Sequence, residues 1–112
     1  MLLELDGRAV SVDDERYLLD PAEWDEMIAV EFATQENIVL TDEHWAVIRY
    51  MREYFDSHQI IPDARHVIKY LADYLGSAST GRNDLFRLFP YGYVKQACRI
   101  AGMRRPRAWS TG

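Results

Sequence analysis

The sequence is poor in the residues that build disulfides, metal sites and phosphate-binding loops. Cys98 is the only cysteine among 112 residues, which excludes an intrachain disulfide and a cysteine-rich metal site. The three histidines form no i, i+4 pair, and no glycine-rich phosphate loop is present. We therefore expect neither a metal nor a cofactor.

Long apolar runs are also missing. No stretch approaches the roughly 20 apolar residues that a transmembrane helix needs, and the N-terminus does not resemble a signal peptide. With 48% hydrophobic and 28% charged residues, the composition is typical of one globular domain and too apolar for disorder. We expect a cytoplasmic, monomeric protein without membrane association.

Groupings of residues that carry out catalysis are scarce. The serines lack the context of a nucleophile elbow, and the acids occur in surface runs such as residues 13–15. His44 is expected on a helix surface rather than as a base, and Arg52 on a solvated helix face. This pattern gives little support to self-contained catalysis and leaves open whether the chain is an enzyme.

The charge is distributed unevenly along the chain. Residues 1–81 contain 6 Lys/Arg and 17 Asp/Glu, a net charge of −11, whereas residues 82–112 contain 7 Lys/Arg and one acid, a net charge of +6. An acidic body with a basic end is typical of a protein with an interaction tail. The alternative, that the basic end only neutralises the body, fits equally well.

Periodicity and turn signals predict an α+β fold that is mainly α. A small N-terminal hairpin over residues 2–12, turning at Asp6-Gly7, is expected to pack on about five helices, and residues 17–19 are a candidate third strand. The predicted helices span 21–34, 42–57, 62–75, 83–89 and 93–101. Residues 1–102 would form one domain, followed by a C-terminal arm, residues 103–112.

Cys98 has the greatest intrinsic reactivity of any side chain here, and two interpretations of it fit. It is either a small apolar group on the inner face of the last helix, beside Val94 and Ala101, or a thiolate made more acidic by Lys95 and Arg99. The helical spacing favours the buried interpretation.

The segment at residues 89–106, with the motif Lys95-Gln96-Ala97-Cys98-Arg99-Ile100-Ala101-Gly102, resembles the C-terminal signature of the DsrC/TusE family. Upstream, Asp20-Pro21-x-x-Trp24, Leu40-Thr41-x-Glu43-His44-Trp45 and Arg52-Glu53-Tyr54 resemble further family motifs, so the resemblance covers nearly the whole chain. It implies a small β element on a helical array. It also implies a protein of the group that includes the gamma subunit of dissimilatory sulfite reductase and the sulfur-relay protein TusE, classed with sulfurtransferases.

The resemblance further implies sulfur transfer by a swinging C-terminal arm, whose penultimate cysteine carries a persulfide or bonds to the helix cysteine. By position the helix cysteine is Cys98, the candidate catalytic thiol, but the arm cysteine falls at position 109, where this chain has Trp109. Tyr93 and Arg104 likewise replace prolines of the family pattern. Without an arm thiol, the usual transfer is not expected, and the chain would be a carrier-like or regulatory paralogue.

The arm would then act by docking on sulfite reductase, on sulfurtransferase-complex proteins or on a tRNA-thiolating enzyme. Trp109 either anchors in the partner or folds back on the protein's own surface, with simple disorder as a third alternative. The basic side chains either steer the arm to an acidic cleft or to RNA phosphates, or are merely solvated. The residues expected to bind a partner are Lys95, Arg99, Arg104, Arg105, Arg107 and Trp109.

Two other functions compete with this one. The second and third helices, joined by residues 59–61, resemble a helix-turn-helix pair, so a regulator that binds DNA or RNA with the help of the basic arm is the alternative. Against it, Arg65 and Lys69 on the third helix are opposed by Asp63 and Asp73. A degenerate paralogue that only docks on other proteins is the third candidate.

Overall fold

A hairpin, a short 3₁₀ turn and five helices follow one another in the part of the chain that the structure describes. The computed structural model describes residues 1–5, 7–76 and 80–106. Its elements are β1 (Leu2–Leu5), β2 (Arg8–Ser11), the 3₁₀ turn (Pro21–Glu23), α1 (Glu26–Gln35), α2 (Asp42–His58), α3 (Ala64–Leu75), α4 (Arg82–Leu88) and α5, which joins the π-helical turn Tyr93–Ala97 to the α-helical turn Cys98–Ile100. The predicted α+β, mainly α fold is confirmed.

The hairpin is antiparallel, with Leu3 opposite Val10 and Leu5 opposite Arg8. Gly7 has φ +79, as a tight turn requires; Asp6, the other predicted turn residue, lies outside the described residues. The predicted third strand at residues 17–19 is wrong, since Leu18 forms only a single bridge to Val12. The Asp13 carboxylate accepts the backbone N–H groups of Glu15 and Tyr17, which curls the chain into a turn instead.

The first predicted helix, 21–34, is two separate elements. Asp20 caps the 3₁₀ turn by accepting from the Ala22 N–H at 3.0 Å, and Asp25 caps α1 by accepting from the Ile28 N–H at 3.0 Å. Between them Trp24 is extended, with ψ 142. Arg8, 2.6 Å from the Asp25 carboxylate, lowers the pKa of Asp25 by its hydrogen bond. Two caps five residues apart therefore start two helical segments.

His44 lies inside the protein, and its predicted surface position is wrong. It is 6% exposed, its Nδ1 accepts from the Thr41 N–H at 3.0 Å, and its Nε2 donates to the Leu88 carbonyl at 2.8 Å. The imidazole thus closes a capping box at the start of α2 and ties it to the end of α4. Accepting at Nδ1 needs the neutral ring, and burial lowers the pKa of His44, although the hydrogen bond to the Leu88 carbonyl opposes this shift.

The remaining helices lie within two residues of their predicted bounds. α3 begins after Pro62 because Asp63 caps it, accepting from the Arg65 N–H at 3.0 Å. The hairpin, the loop after it and all five helices contribute to one core, whose fully buried side chains include Val10, Leu18, Phe32, Ile48, Met51, Leu71 and Ile100.

The described residues contain no helix long and apolar enough to cross a membrane.

The His44→Ala variant tests the buried histidine. It leaves the buried Leu88 carbonyl and the Thr41 N–H without their partner, so we expect the free energy of unfolding to fall by about 2 kcal/mol at neutral pH. In the wild type, the unfolded chain binds a proton below about pH 6.5 while the folded chain resists it. Stability contributed by His44 is therefore present above that pH and is lost as the pH falls.

Urea unfolding of both proteins across this range measures the effect. The pH dependence of the wild type between neutral and mildly acidic pH should flatten in His44→Ala. An identical slope in the two proteins would contradict the assignment.

Candidate functional site

The Cys98 thiol lies in the core at the start of the α-helical turn of α5. It is 0% exposed, and burial raises its pKa to about 12, an effect that the neighbouring Tyr93 side chain partly offsets. A thiol with this pKa is protonated at neutral pH, whereas nucleophilic attack needs the thiolate. The structure therefore supports the buried interpretation of Cys98 over the reactive one.

Tyr93 covers the thiol and connects α5 to the segment before α3. Its side chain is 2% exposed, and its hydroxyl donates to the Pro62 carbonyl. Burial, together with the neighbouring Cys98, raises the pKa of Tyr93 well above its usual value. A bulky aromatic ring thus stands beside the thiol at the position where the family pattern has proline.

Arg99, predicted to bind a partner or to acidify the thiol, is committed to the protein's own interior. It is 5% exposed, its guanidinium lies 2.9 Å from the Glu36 carboxylate, and it donates to the Arg16 carbonyl at 3.0 Å. The group also sits 4.4 Å over the Phe32 ring. Burial lowers the pKa of Arg99, and the neighbouring Glu36 carboxylate opposes this shift. The prediction that Arg99 contacts a partner is therefore corrected: the side chain fastens α5 to α1.

Two side chains from distant parts of the chain, Trp24 and Arg52, hold the C-terminal end of α5. We call these two residues and Gly102, which follows that end, the arm-base clamp. The Trp24 Nε1 donates to the Ile100 carbonyl at 2.9 Å. Arg52 donates to the Ala101 carbonyl at 3.1 Å and to the Pro21 carbonyl at 3.0 Å, with its guanidinium 4.4 Å over the Trp24 ring. Arg52 is thus not on a solvated face as predicted, and burial lowers its pKa.

Gly102 completes the clamp because only glycine fits there. It has φ +77, and a Cβ atom on it would lie 2.3 Å from Trp24 Cδ1. The N–H of Met103 donates to the Cys98 carbonyl at 2.9 Å and that of Gly102 to the Arg99 carbonyl at 3.1 Å, a Schellman-type helix ending. The clamp therefore determines where the arm leaves the body.

Three of the predicted partner-binding cations are exposed: Lys95, Arg104 and Arg105. The Arg104 Nε donates to the Leu19 carbonyl at 2.8 Å, and Arg105 forms an ion pair with Glu15. Exposed contacts of this kind hold a side chain weakly. Arg107 and Trp109 lie outside the described residues.

A groove runs beside the arm, and we call it the arm groove. Its volume is about 560 Å³, and it is lined by Pro21, Phe55, Gln59, Ile60, Ile61, Arg104, Arg105 and Pro106. Elsewhere in the described ranges, no cluster of three His, Cys, Asp or Glu side chains is arranged to hold a metal ion.

The sequence analysis did not predict the arm-base clamp or the position of Tyr93 over the Cys98 thiol. Trp24 and Arg52 belong to motifs that carried the family resemblance, yet nothing in their local pattern assigned them to the end of α5. Gly102 was recognised only as a helix end. Tyr93 was recognised only as a departure from the family pattern.

The fold and this site define a small α+β protein that encloses its cysteine and braces the end of its last helix just before two exposed arginines, Arg104 and Arg105. Comparison with known proteins agrees with this class. The family model described as DsrC like protein matches residues 4–108, and the chain belongs to the DsrC/TusE family.

The relatives match over almost their entire lengths. The sulfurtransferase TusE of Pectobacterium atrosepticum is 37% identical over 105 residues, covering 94% of this chain and 96% of the relative. TusE of Salmonella typhimurium is 38% identical over 105 residues, with the same coverage.

Solved structures of the family agree with the fold. The oxidized gamma-subunit of the dissimilatory sulfite reductase (DsrC) from Archaeoglobus fulgidus superposes with a TM-score of 0.87 at 34% identity, covering 96% of this chain and 98% of that one. Allochromatium vinosum DsrC has a TM-score of 0.83 at 40% identity, with the same coverage.

The Gly102→Ala variant tests the arm-base clamp, with Gly7→Ala as the matched control. Both glycines have nearly the same φ, but a Cβ atom at Gly7 meets nothing within 4 Å. We expect Gly7→Ala to cost about 1 kcal/mol of unfolding free energy from backbone strain alone. Gly102→Ala should cost about 3 kcal/mol because it also collides with Trp24. Chemical denaturation measures both, and equal losses would contradict the close approach of Trp24 to Gly102.

Thiol labelling tests the burial of Cys98. In the native protein we expect a disulfide reagent to modify Cys98 at least ~100-fold more slowly than in the urea-unfolded chain, because the native thiol is both protonated and enclosed. Similar rates in the two states would show that the thiol is accessible.

Proposed function

We propose that this chain is a sulfur-relay protein that works by docking its C-terminal arm on a partner protein, without self-contained catalysis. The observation that carries the proposal is the arm-base clamp: Trp24, Arg52 and Gly102 brace the end of α5 at the point where the basic arm departs. Bracing the base of a tether reduces the freedom that is lost when its end binds.

The chemistry of a partner follows from the exposed cations. Lys95, Arg104 and Arg105 would meet an acidic surface, and the rate of such an encounter depends on ionic strength. The relatives named sulfurtransferase and sulfite reductase gamma-subunit support two partner classes, sulfite reductase and proteins of a sulfurtransferase complex. A tRNA-thiolating enzyme is the third class, and it follows only from the family resemblance of the sequence.

We infer further that the chain is a regulatory or carrier-like paralogue. Position 109, where the family pattern has the arm cysteine, is Trp109, and an indole cannot hold a persulfide. Cys98 would have to attack a sulfur donor as a thiolate, yet burial keeps it protonated. The lack of a thiol at position 109 and the burial of the Cys98 thiol both favour regulation through docking over the carriage of sulfur.

A persulfide assay separates the two roles. The native protein is incubated with excess inorganic polysulfide, and its mass is measured with and without reduction. A regulator shows no gain of a sulfur atom at Cys98. A gain in the folded protein that reduction reverses would identify a carrier.

Binding to purified candidates of the three partner classes tests the docking itself. The Arg104→Glu/Arg105→Glu variant reverses two exposed arm charges, and Arg65→Glu/Lys69→Glu makes the same charge change on α3, where Arg65 and Lys69 are exposed. We expect the arm variant to weaken binding about tenfold, about 1.4 kcal/mol, and the α3 variant to leave it within about twofold.

A chain ending at Gly102 should lose most of the remaining affinity. Full affinity of that truncated chain would overturn docking through the arm.

The alternative, binding of DNA or RNA through α2 and α3 with the help of the basic arm, stays a prediction. The same two double variants test it with duplex DNA and tRNA. Salt-dependent binding that Arg65→Glu/Lys69→Glu abolishes and that the arm variant also weakens would favour it.

A further inference from the structure

A second cavity lies between the loop after the hairpin, the end of α1 and the start of α5, and we call it the Arg16 pocket. Its volume is about 490 Å³, which is within the range of pockets that hold small organic ligands. Its walls come from residues 15–17, Gln35, Glu36, Tyr91, Lys95 and Arg99.

Both carboxylates of the Arg16 pocket are already paired. One Glu36 oxygen accepts from Arg99 at 2.9 Å, and the other accepts from the Gln96 amide at 3.0 Å. Glu15 forms its ion pair with Arg105, which is not part of the pocket wall. The negative charge of the pocket is therefore neutralised before any ligand enters.

Arg16 and Lys95 are the two cations of the pocket that form no ion pair with any of the described residues. Arg16 also has φ 70, a left-handed conformation that is costly for any residue except glycine. Its N–H donates to the Asp13 carbonyl at 3.0 Å, and its carbonyl accepts from Arg99 Nε at 3.0 Å. An arginine at a position that suits glycine indicates a use for its guanidinium at the pocket.

Two tyrosines add aromatic surface to the pocket. Tyr17 is 3% exposed, and its hydroxyl donates to the Val94 carbonyl at 2.8 Å. Tyr91 is 74% exposed, while its backbone N–H donates to the Gln96 side chain at 2.9 Å. The backbone of Tyr91 is thus anchored while most of its ring faces water. An exposed ring beside two unpaired cations suits a ligand with both a flat ring and an anionic group.

We propose that the Arg16 pocket binds a nucleoside monophosphate, with the phosphate between Arg16 and Lys95 and the base on the Tyr91 ring. A phosphate dianion matches the two cations in charge, and a guanidinium can donate two parallel N–H groups to its oxygens. Bases stack on aromatic side chains whatever their identity. The carboxylate of an acidic peptide would use the cations alone and leave the ring without a role.

This site does not rest on the proposed function. Arg16 takes no part in the docking of the arm. Loss of nucleotide binding in Arg16→Gly and loss of partner binding in Arg104→Glu/Arg105→Glu are therefore separate results.

Calorimetric titration of the full chain with AMP, GMP, CMP and UMP at low ionic strength tests the proposal. Adenosine and inorganic phosphate serve as partial ligands, since each lacks one of the two contacts. We expect at least one nucleotide to bind about tenfold more tightly than either partial ligand. Binding of none of the four nucleotides would overturn the proposal, as would inorganic phosphate that binds as tightly as the best of them.

The Arg16→Gly variant separates a binding role from a structural one. It should weaken nucleotide binding about tenfold and leave the protein at least as resistant to urea as the wild type, because glycine accepts this φ without cost. Gln59→Gly is the matched control, since Gln59 has φ 59 and lies outside the Arg16 pocket. It should leave the affinity unchanged. A loss of stability in Arg16→Gly would show that the arginine serves the fold, against the proposal.

Lys95→Gln and Tyr91→Leu test the other two contacts and should each weaken binding about fivefold. Lys69→Gln and Tyr74→Leu make the same changes at exposed residues of α3 and should stay within about twofold of the wild type. An affinity that neither Arg16→Gly nor Lys95→Gln reduces would place the nucleotide elsewhere and overturn the assignment.

Discussion

The hydrogen bonds that close the C-terminal end of α5 are the constraint on which the rest of the structure depends. Helix ends leave carbonyl groups without partners, and a buried carbonyl must find a donor. Here Trp24 and Arg52 supply donors to the Ile100 and Ala101 carbonyls. Arg52 also reaches Pro21, so one guanidinium joins α2, the 3₁₀ turn and α5. Because Trp24 packs against Gly102, the body and the starting direction of the arm are determined together.

Because Cys98 is enclosed in the core, α5 does not expose a reactive thiol. The thiol lies under Tyr93, whose hydroxyl binds the Pro62 carbonyl, and a buried neutral thiol costs no charge desolvation. On the outer side of α5, Arg99 pairs with the Glu36 carboxylate and donates to the Arg16 carbonyl. α5 therefore has an inner face whose thiol is enclosed. The cations that stay exposed near its end are Lys95, Arg104 and Arg105.

Much of the fold was predictable because its signals are local. The hairpin turn and the starts and ends of α2, α3 and α4 all depend on residues close in sequence, and the structure has them within two residues of the predicted bounds. The first helix was not predictable as two pieces. Asp25 is a second cap, but Trp24 becomes extended where its indole donates to Ile100, 76 residues away. Long-range hydrogen bonds of the same kind bury His44 and half-bury Arg52, both of which were expected on the surface.

What the sequence alone determined is the class of protein: an acidic α+β body, a single cysteine on the last helix, a basic end and the motifs of the DsrC/TusE family. The charge distribution, the fold class and the place of the cysteine follow from composition and periodicity, and the family follows from the resemblance of its motifs. All of these signals lie in short stretches of chain. The tertiary structure alone decided which charged groups are available and whether the thiol is exposed. Arg99 and Arg105 are both arginines near the end of the chain, yet only one of them is buried. Burial and hydrogen bonding depend on partners that only folding brings together, and these set the pKa of Cys98 and the accessibility of each cation.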